Sequence, residues 1–339
     1  MSKRVSVRDV ARLADVSVGT VSNYLNGKKA VSPRAAALID EAVRVLRYRR
    51  NHLASSLRTS KTKTLGMVIP SIANPFYTSV FEGAEQQARK LGYSLALGVS
   101  HYEHETMLQY LESFQMRQMD GIIINGYNTF SSWEALENFD GPVVVVEPAE
   151  GRSPFSTVRI DNFAASRRAV DYLIDQGHRR IAIVPPFSTD PRFLGYKASL
   201  ERAGIAYDED LVLHYGGAPE LRKADDDQRG LIRRGEMAMN TLLDRTHFTA
   251  CFFTLDIFAI GAFKAIADRG MSVPDDVAVM GFDDLPVAAF LTPGLTTIAQ
   301  PHHEMGELSV KIIGSRIAAG HLDPVDVCLT HELIIRQSA

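Results

Sequence analysis

Cysteine is nearly absent from this chain, and long apolar runs are missing altogether. The two thiols, Cys251 and Cys328, are far apart and lack flanking histidines. That rules out a disulfide framework or a thiolate metal site and leaves core packing as the expected role of each. No eighteen-residue apolar stretch occurs, so no membrane-spanning helix and no membrane partner are expected. The opening MSKRVSVRD has no apolar core of a secretory leader, and the expected location is the cytoplasm. No strand-like run leads into a phosphate loop or a dinucleotide fingerprint; Gly216, Gly217 and Gly261 read as turn or helix glycines. His302-His303-Glu304 lacks the spacing of a zinc helix, and His101, His104, His178, His302 and His303 read as exposed or capping imidazoles. No nucleophile with a base and no paired carboxylates stand out, so neither an enzyme nor a cofactor is expected.

Charge is present but unevenly distributed. The formal net charge is only −3, yet the first 64 residues hold 14 Lys and Arg against 4 Asp and Glu, and the remainder holds 23 against 36. A basic head on an acidic body suits a phosphate-binding module joined to a larger domain, and points to nucleic acid as partner.

The head has its own pattern. Val7, Val10, Ala11 and Ala14 step by three and four, giving a short helix with one buried face and Arg8 and Arg12 in water. Val18, Val21 and Leu25 repeat the step after Asp15-Val16-Ser17, with Ser17 placed to cap the second helix. Two short helices across so tight a turn form a helix-turn-helix. Asn26-Gly27-Lys28-Lys29 is a turn with a basic tip. Ser32-Pro33 then starts a third helix, with Leu38, Ile39, Ala42, Val43 and Leu46 on one face. Asn51 can cap a further short helix in which Leu53 and Leu57 share a face with nothing local to cover.

From Thr64 onward, short apolar runs rich in β-branched residues alternate with helical patterns. The runs include Leu65 to Ile69, Ser94 to Val99, Gly121 to Asn125, Val143 to Val146, Arg180 to Val184, Ala250 to Thr254 and Val277 to Phe282. Such alternation means parallel sheets covered by helices on both faces, and its length suggests two lobes with a ligand site at the carboxyl ends of the strands. The expected division is a head over 1–50, a hinge over 51–63 and a body over 64–339. Within the body, lobe 1 takes about 64–161 plus 292–320, and lobe 2 about 162–291 plus 321–339. Residues 216–235 read as a charged, solvated loop; the alternative is that Arg233 or Arg234 borders the cleft and favours an anionic effector.

The stretches RDVARLADVSVGTVSNYLNG, VSPRAAALIDEAVRVLRY and NPFYTSVFEGAEQQARKLGY, with GFDDLP and LTTIAQP later, resemble the lactose-repressor (LacI/GalR) family of bacterial transcription regulators over essentially the whole chain. The resemblance implies that the second helix enters the major groove, with Val18, Gly19 and Asn23 at base edges and Ser17, Thr20 and Ser22 on phosphates, the set closing at Asn26. Asparagine can pair with adenine and valine can touch a thymine methyl, whereas Gly19 offers no side chain, so DNA shape must share in the readout. The resemblance also makes 51–58 a hinge helix whose Leu57 wedges into the minor groove. Arg50 departs from the proline usual there, and Ser55 from an arginine.

For the body, the resemblance implies a periplasmic-binding-protein-like pair of lobes holding a small effector. The implied contacts are Phe76 and Tyr77 for stacking, Asn125, Asp161 and Asp283 at strand ends, and Arg192, with Arg192, Asp161 and Asp283 as the central set. Leu255 replaces an asparagine frequent in sugar-binding relatives, and Asp256 reads as a helix N-cap. A sugar or derivative leads on family frequency; a sugar phosphate, a nucleobase and a hydroxy acid stay open. The expected whole is a homodimeric repressor on a roughly palindromic operator, allosterically controlled, with Ser79, Val80 and Gly83 on its dimer face and no coiled-coil tail for tetramers. A free solute carrier or an α/β enzyme would share the body but have no use for residues 1–58.

Overall fold

The computed structural model describes residues 5–25, 29–48, 61–125, 134–148, 153–216, 227–320 and 323–339. The chain forms two compact units, Met1–Thr62 and Lys63–Ala339.

In the first unit, α1 (Val7–Leu13), α2 (Val18–Leu25) and α3 (Pro33–Val45) surround a small core of Val10, Ala11, Ala14, Val21, Ile39 and Ala42. Each helix start has a local cause. The Ser6 N–H donates to Asp9 Oδ2 at 2.9 Å, Ser17 Oγ accepts from the Thr20 N–H at 3.0 Å, and Ser32 Oγ accepts from the Ala35 N–H at 3.3 Å ahead of Pro33. Between α1 and α2 the chain turns at Asp15, whose φ of 51° lies in the left-handed region that aspartate tolerates better than most residues. The Tyr24 hydroxyl donates to Asp40 Oδ2 at 2.7 Å and ties α2 to α3. Val18 and Leu38, which the stepping pattern assigns to the core, are each 43% exposed, because the narrow seam between three short helices is filled without them.

In the second unit, six parallel strands make one sheet: β1 (Thr64–Ile69), β2 (Ser94–Val99), β3 (Gly121–Asn125), β4 (Val143–Val146), β5 (Ser156–Ile160) and β10 (Asp326–Leu329), in the order β10-β5-β4-β3-β1-β2. Five strands make the other: β6 (Ile181–Val184), β7 (Ala250–Phe253), β8 (Ala278–Asp283), β9 (Thr296–Ala299) and β11 (Glu332–Ile334), in the order β11-β9-β8-β7-β6 with only β11 antiparallel. Between the strands run α4 (Pro75–Lys90), α5 (His104–Met116), α6 (Glu134–Glu137), α7 (Asn162–Asp175), α8 (Pro191–Arg202), α9 (Gln228–Arg245), α10 (Asp256–Asp268) and α11 (His302–Ala319). Strands β3, β4, β6, β7 and β8 are buried throughout, as continuous apolar runs require.

Several expectations are corrected. The chain leaves the second sheet after β9, not near 292, and leaves the first again after β10, not near 321. Side-chain pairing is the reason: Thr297 Oγ1 donates to Asp256 Oδ1 at 2.7 Å and holds β9 in the second sheet, while Arg159 Nη2 on β5 meets Asp326 Oδ2 on β10 at 2.8 Å. Residues 228–235 are helical, because Asp227 accepts from the Gly230 N–H at 2.7 Å and starts α9 there; residues 217–226 lie outside the described residues. Cys251 is buried, but Cys328 is exposed on the edge strand β10. His302 is buried rather than capping or exposed.

The helices that flank each sheet cross at glycine. A Cβ added at Gly83 on α4 would stand 2.0 Å from the His303 carbonyl oxygen, and one at Gly306 on α11 would stand 1.9 Å from that of Val80. Gly235 on α9 and Gly261 on α10 meet in the same way, with Phe258 O and Ile232 O both at 1.9 Å. The Val80 and Gly83 face of α4, expected at a dimer surface, is therefore covered within the subunit by α11, and Val80 has no exposed surface. Gly306→Ala is expected to lower stability by roughly 2 kcal/mol, since overpacking a crossing outweighs the better helix propensity of alanine. Urea unfolding of the purified variant measures this, and an unchanged midpoint would show that the crossing yields.

Candidate functional site

Two surfaces collect the candidate residues. On the head, Ser17, Val18 and Gly19 at the start of α2 are exposed, and Thr20, Ser22 and Asn23 are half-buried along the same helix. The Ser17 hydroxyl caps α2 and lies 2.8 Å from that of Thr20, so these two form one local hydrogen-bonded pair. A Cβ at Gly19 would meet nothing closer than Ser17 Oγ at 3.6 Å, so glycine is not demanded by packing; it leaves the backbone bare where a partner could approach closely. An exposed valine beside it is an apolar contact without an internal use. Asn26 and Leu57 lie outside the described residues.

In the body, one cavity of about 560 Å³ is lined by residues from both sheets, at the carboxyl ends of their strands. Two similar turns deliver side chains to it. After β1, Asn74 Oδ1 accepts from the Phe76 N–H at 3.0 Å and Pro75 starts α4, which sets Phe76 and Tyr77 on the cavity wall. After β6, Asp190 Oδ1 accepts from the Arg192 N–H at 2.8 Å and Pro191 starts α8, which sets Arg192 there. An Asx-Pro pair fixes the backbone of a first helical turn, so each side chain leaves it in a defined direction.

Five of the six expected effector residues, Phe76, Tyr77, Asn125, Arg192 and Asp283, line this cavity. Asp161 does not. Its Oδ1 accepts from the Ala164 N–H at 2.9 Å to cap α7, and its side chain borders a separate cavity of about 500 Å³ beside Arg159 and Asp326. The carboxylate that meets Arg192 is instead Asp190, at 3.0 Å from Nε and 3.1 Å from Nη2, with both side chains buried. Asp256 is likewise not a cap. It is fully buried and accepts from Thr297 Oγ1 at 2.7 Å and the Leu285 N–H at 2.8 Å, bracing the chain that follows β8.

Three contributors escaped the sequence reading. Gln300, after β9, donates from Nε2 to Asp283 Oδ1 at 2.7 Å. Glu147, after β4, accepts from the Ile160 N–H at 2.8 Å and from Asn162 Nδ2. Asp190 is the third. A lone acid after VVVV and an Asx-Pro pair are visible signals for two of them; Gln300 lies inside a stretch quoted only for its resemblance. Arg234 also lines the cavity, matching the alternative weighed for the charged segment.

The polar end of this cavity is incompletely paired. Among the described residues, Asn125 Nδ2 and Oδ1, Asp283 Oδ2 and Gln300 Oε1 are buried without a hydrogen-bond partner. Native proteins leave few such atoms, so four converging on one cavity mark a ligand site. Asp283 also has a φ of 124°, a conformation strained for any side chain, and strain of this kind gathers at binding sites. Burial, then the nearby Asp256, raises its carboxyl well above the usual range, against the pull of Arg192 and Gln300. Burial raises Glu147 too, and lifts Asp256 to about 6.

A basic helix-turn-helix unit and a two-sheet body with a polar-ended cleft together define a DNA-binding regulator with a small-molecule sensor. Residues 6–51 match the family described as bacterial regulatory proteins, lacI family, and residues 170–339 match the periplasmic binding protein-like domain. The ribose operon repressor of Escherichia coli (strain K12) is 33% identical over 98% of this chain and 99% of its own. The structure of the transcriptional regulator CelR-cellobiose complex superposes with a TM-score of 0.69 at 30% identity, covering 99% of this chain and 100% of that one. The lac repressor dimer bound to operator and the anti-inducer ONPF shares the fold, with a TM-score of 0.84 at 23% identity over 99% of both chains. The chain belongs to the lacI family of bacterial transcription regulators. Among the described residues, no helix is long and apolar enough to cross a membrane.

His302, at the start of α11, is a structural neighbour of the cleft. Its ring meets Phe76 edge-on at 4.8 Å, and burial lowers it to about 4. A histidine depressed in the folded state gains its proton first in the unfolded chain, so its contribution to stability is present above about pH 6.5 and is lost as pH falls toward 4. His302→Leu should remove up to about 3 kcal/mol of this acid sensitivity. Urea midpoints at neutral pH and near pH 4 give the comparison; equal pH dependence in both proteins would mean that His302 is protonated without cost in the fold.

Proposed function

We propose that this protein is a repressor that binds a roughly palindromic operator as a homodimer and is controlled by a sugar-like effector in the body cleft. The observation that carries the reading is the set of unpaired polar atoms contributed by both sheets: Asn125 ends β3 of the first, while Asp283 ends β8 and Gln300 follows β9 of the second. A ligand that satisfies all of them binds one arrangement of the sheets better than another. It can shift the equilibrium only by that difference in affinity, and the hinge over 51–63 carries the shift to the heads. Two heads reading two half-sites account for a palindrome, with Asn23 and Val18 at base edges, Ser17, Thr20 and Ser22 near phosphates, and Asn26 and Leu57 completing the contact. The cellobiose of the CelR complex, and the ribose operon for which the Escherichia coli repressor is named, support a polyhydroxylated effector. A second copy is supported by Phe290, 85% exposed on a short 3-10 turn beside Val287, 38% exposed.

Gel shifts against fragments of natural promoters test the DNA half. Specific binding with a steep salt dependence is expected, and Asn23→Ala should weaken it by roughly 1–3 kcal/mol while leaving nonspecific binding intact. Equal losses on specific and nonspecific DNA would remove Asn23 from base readout.

The effector half has its own variant. Asn125→Leu fills the polar end with an apolar side chain of similar size, and should abolish the change in operator affinity produced by neutral sugars while sparing DNA binding in their absence. An intact sugar response in Asn125→Leu would place the effector elsewhere.

A further inference from the structure

We propose that Asp190 sets the chemical class of the effector group bound beside Asp283: by holding the Arg192 guanidinium in an internal ion pair, it makes that end of the cleft a site for hydroxyl or ammonium donors and closes that end to phosphate and carboxylate. This rests on reading the cleft as the effector site.

The argument is a balance of donors and acceptors. At the polar end formed by Asn125, Asp283 and Gln300, three buried oxygens lack a partner among the described residues, Asn125 Oδ1, Asp283 Oδ2 and Gln300 Oε1, against one donor of these three side chains, Asn125 Nδ2. The orientation of Gln300 is not free to reverse this balance. Its Nε2 donates to Asp283 Oδ1, so the amide oxygen is the atom left for a ligand. Both Glu147 oxygens are occupied, by the Ile160 N–H and Asn162 Nδ2.

An anion would need a cation to meet it, and Arg192 is the cationic side chain beside Asp283. Each of its three guanidinium nitrogens already has an acceptor. Nε and Nη2 meet the two oxygens of Asp190 at 3.0 and 3.1 Å, and Nη1 donates to the Thr254 carbonyl at 3.0 Å. The Arg192 and Asp190 side chains are only 6% and 4% exposed, so water does little to screen the pair. With Arg192 neutralised in this way, a phosphate or carboxylate placed beside Asp283 would find its nearest guanidinium already paired, and burying an anion there is unfavourable; Arg234 is the other cation on the cavity wall, and its Gln variant is therefore part of the test. A row of vicinal hydroxyls, or an amine, instead supplies donors to all three waiting oxygens. The two-residue spacing of Asp190 and Arg192 across one proline produces this arrangement, because the same carboxylate that caps α8 folds back onto the guanidinium.

Asp190→Asn separates the two roles. The amide oxygen can still accept the Arg192 N–H and cap α8, while the charge that neutralises the guanidinium is gone. The measurement is thermal stabilisation of the full-length protein by inorganic phosphate and by D-ribose 5-phosphate, against chloride at matched ionic strength. The wild type should show no saturable shift. The variant should show one, with binding roughly tenfold or more tighter than any wild-type response, as expected for a guanidinium released to meet an anion. Wild-type saturation by either anion that disappears in Arg192→Gln or Arg234→Gln would overturn the proposal. So would a variant as indifferent to both anions as the wild type, since Asp190 would then not be what shields Arg192. If Asp190→Asn fails to fold, Asp190→Ser, which also keeps a capping oxygen without charge, takes its place. Gel shifts on the same wild-type sample keep the two readings distinct: missing specific DNA binding defeats the regulator itself, whereas an anion result alone defeats only the selectivity.

Discussion

Burial of polar atoms that must find partners is the constraint on which the sensing half of this protein depends. Inside the body, most such groups are paired within the chain: Asp256 with Thr297 and the Leu285 N–H, Glu147 with Ile160 and Asn162, Arg192 with Asp190 and Thr254. These pairs are local braces that hold strand ends and crossovers in place. At one end of one cavity the pairing stops, and Asn125, Asp283 and Gln300 are left facing each other with capacity to spare. The braces matter to the site because a ligand is recognised only if the atoms it must satisfy are held still.

The same economy of means recurs along the chain. Asx-Pro pairs start α4 and α8 in the two lobes and aim their first side chains into the cavity. Glycine pairs let α4 approach α11 and α9 approach α10 until backbone touches backbone. In the head, a serine caps each of α2 and α3, and Tyr24 fixes α2 against α3. A regulator of this family needs a rigid head and rigid lobes, because a shift between lobes reaches the DNA only if the parts themselves do not deform.

Periodicity made the elements legible. Steps of three and four located α1, α2 and α3, and runs of β-branched residues located most strands of both sheets. The shortest or most exposed elements were harder. β9, β10 and β11 have three or four residues each; β9 opens on two buried threonines, β10 and β11 have exposed positions, and only their partners reveal which sheet they join. Charge misled the reading of 228–235, where a helix buries Leu231 and Gly235 beneath a surface that looks solvated in one dimension.

Within the site, the sequence by itself determined which residues stand at the ends of strands and at the starts of helices, because those positions follow from local hydrogen bonding and backbone preference. It therefore brought Phe76, Tyr77, Asn125, Arg192 and Asp283 into view. Only the tertiary structure decided which partners they meet. Asp161 and Asp190 are both acids at helix starts; one caps α7 outside the cavity and the other neutralises Arg192 inside it. Gln300 and Asp283 are seventeen residues apart, and are neighbours because β8 and β9 lie side by side. Pairing across sheets depends on register and on the direction of each side chain, and those are properties of the packed chain that no local stretch contains.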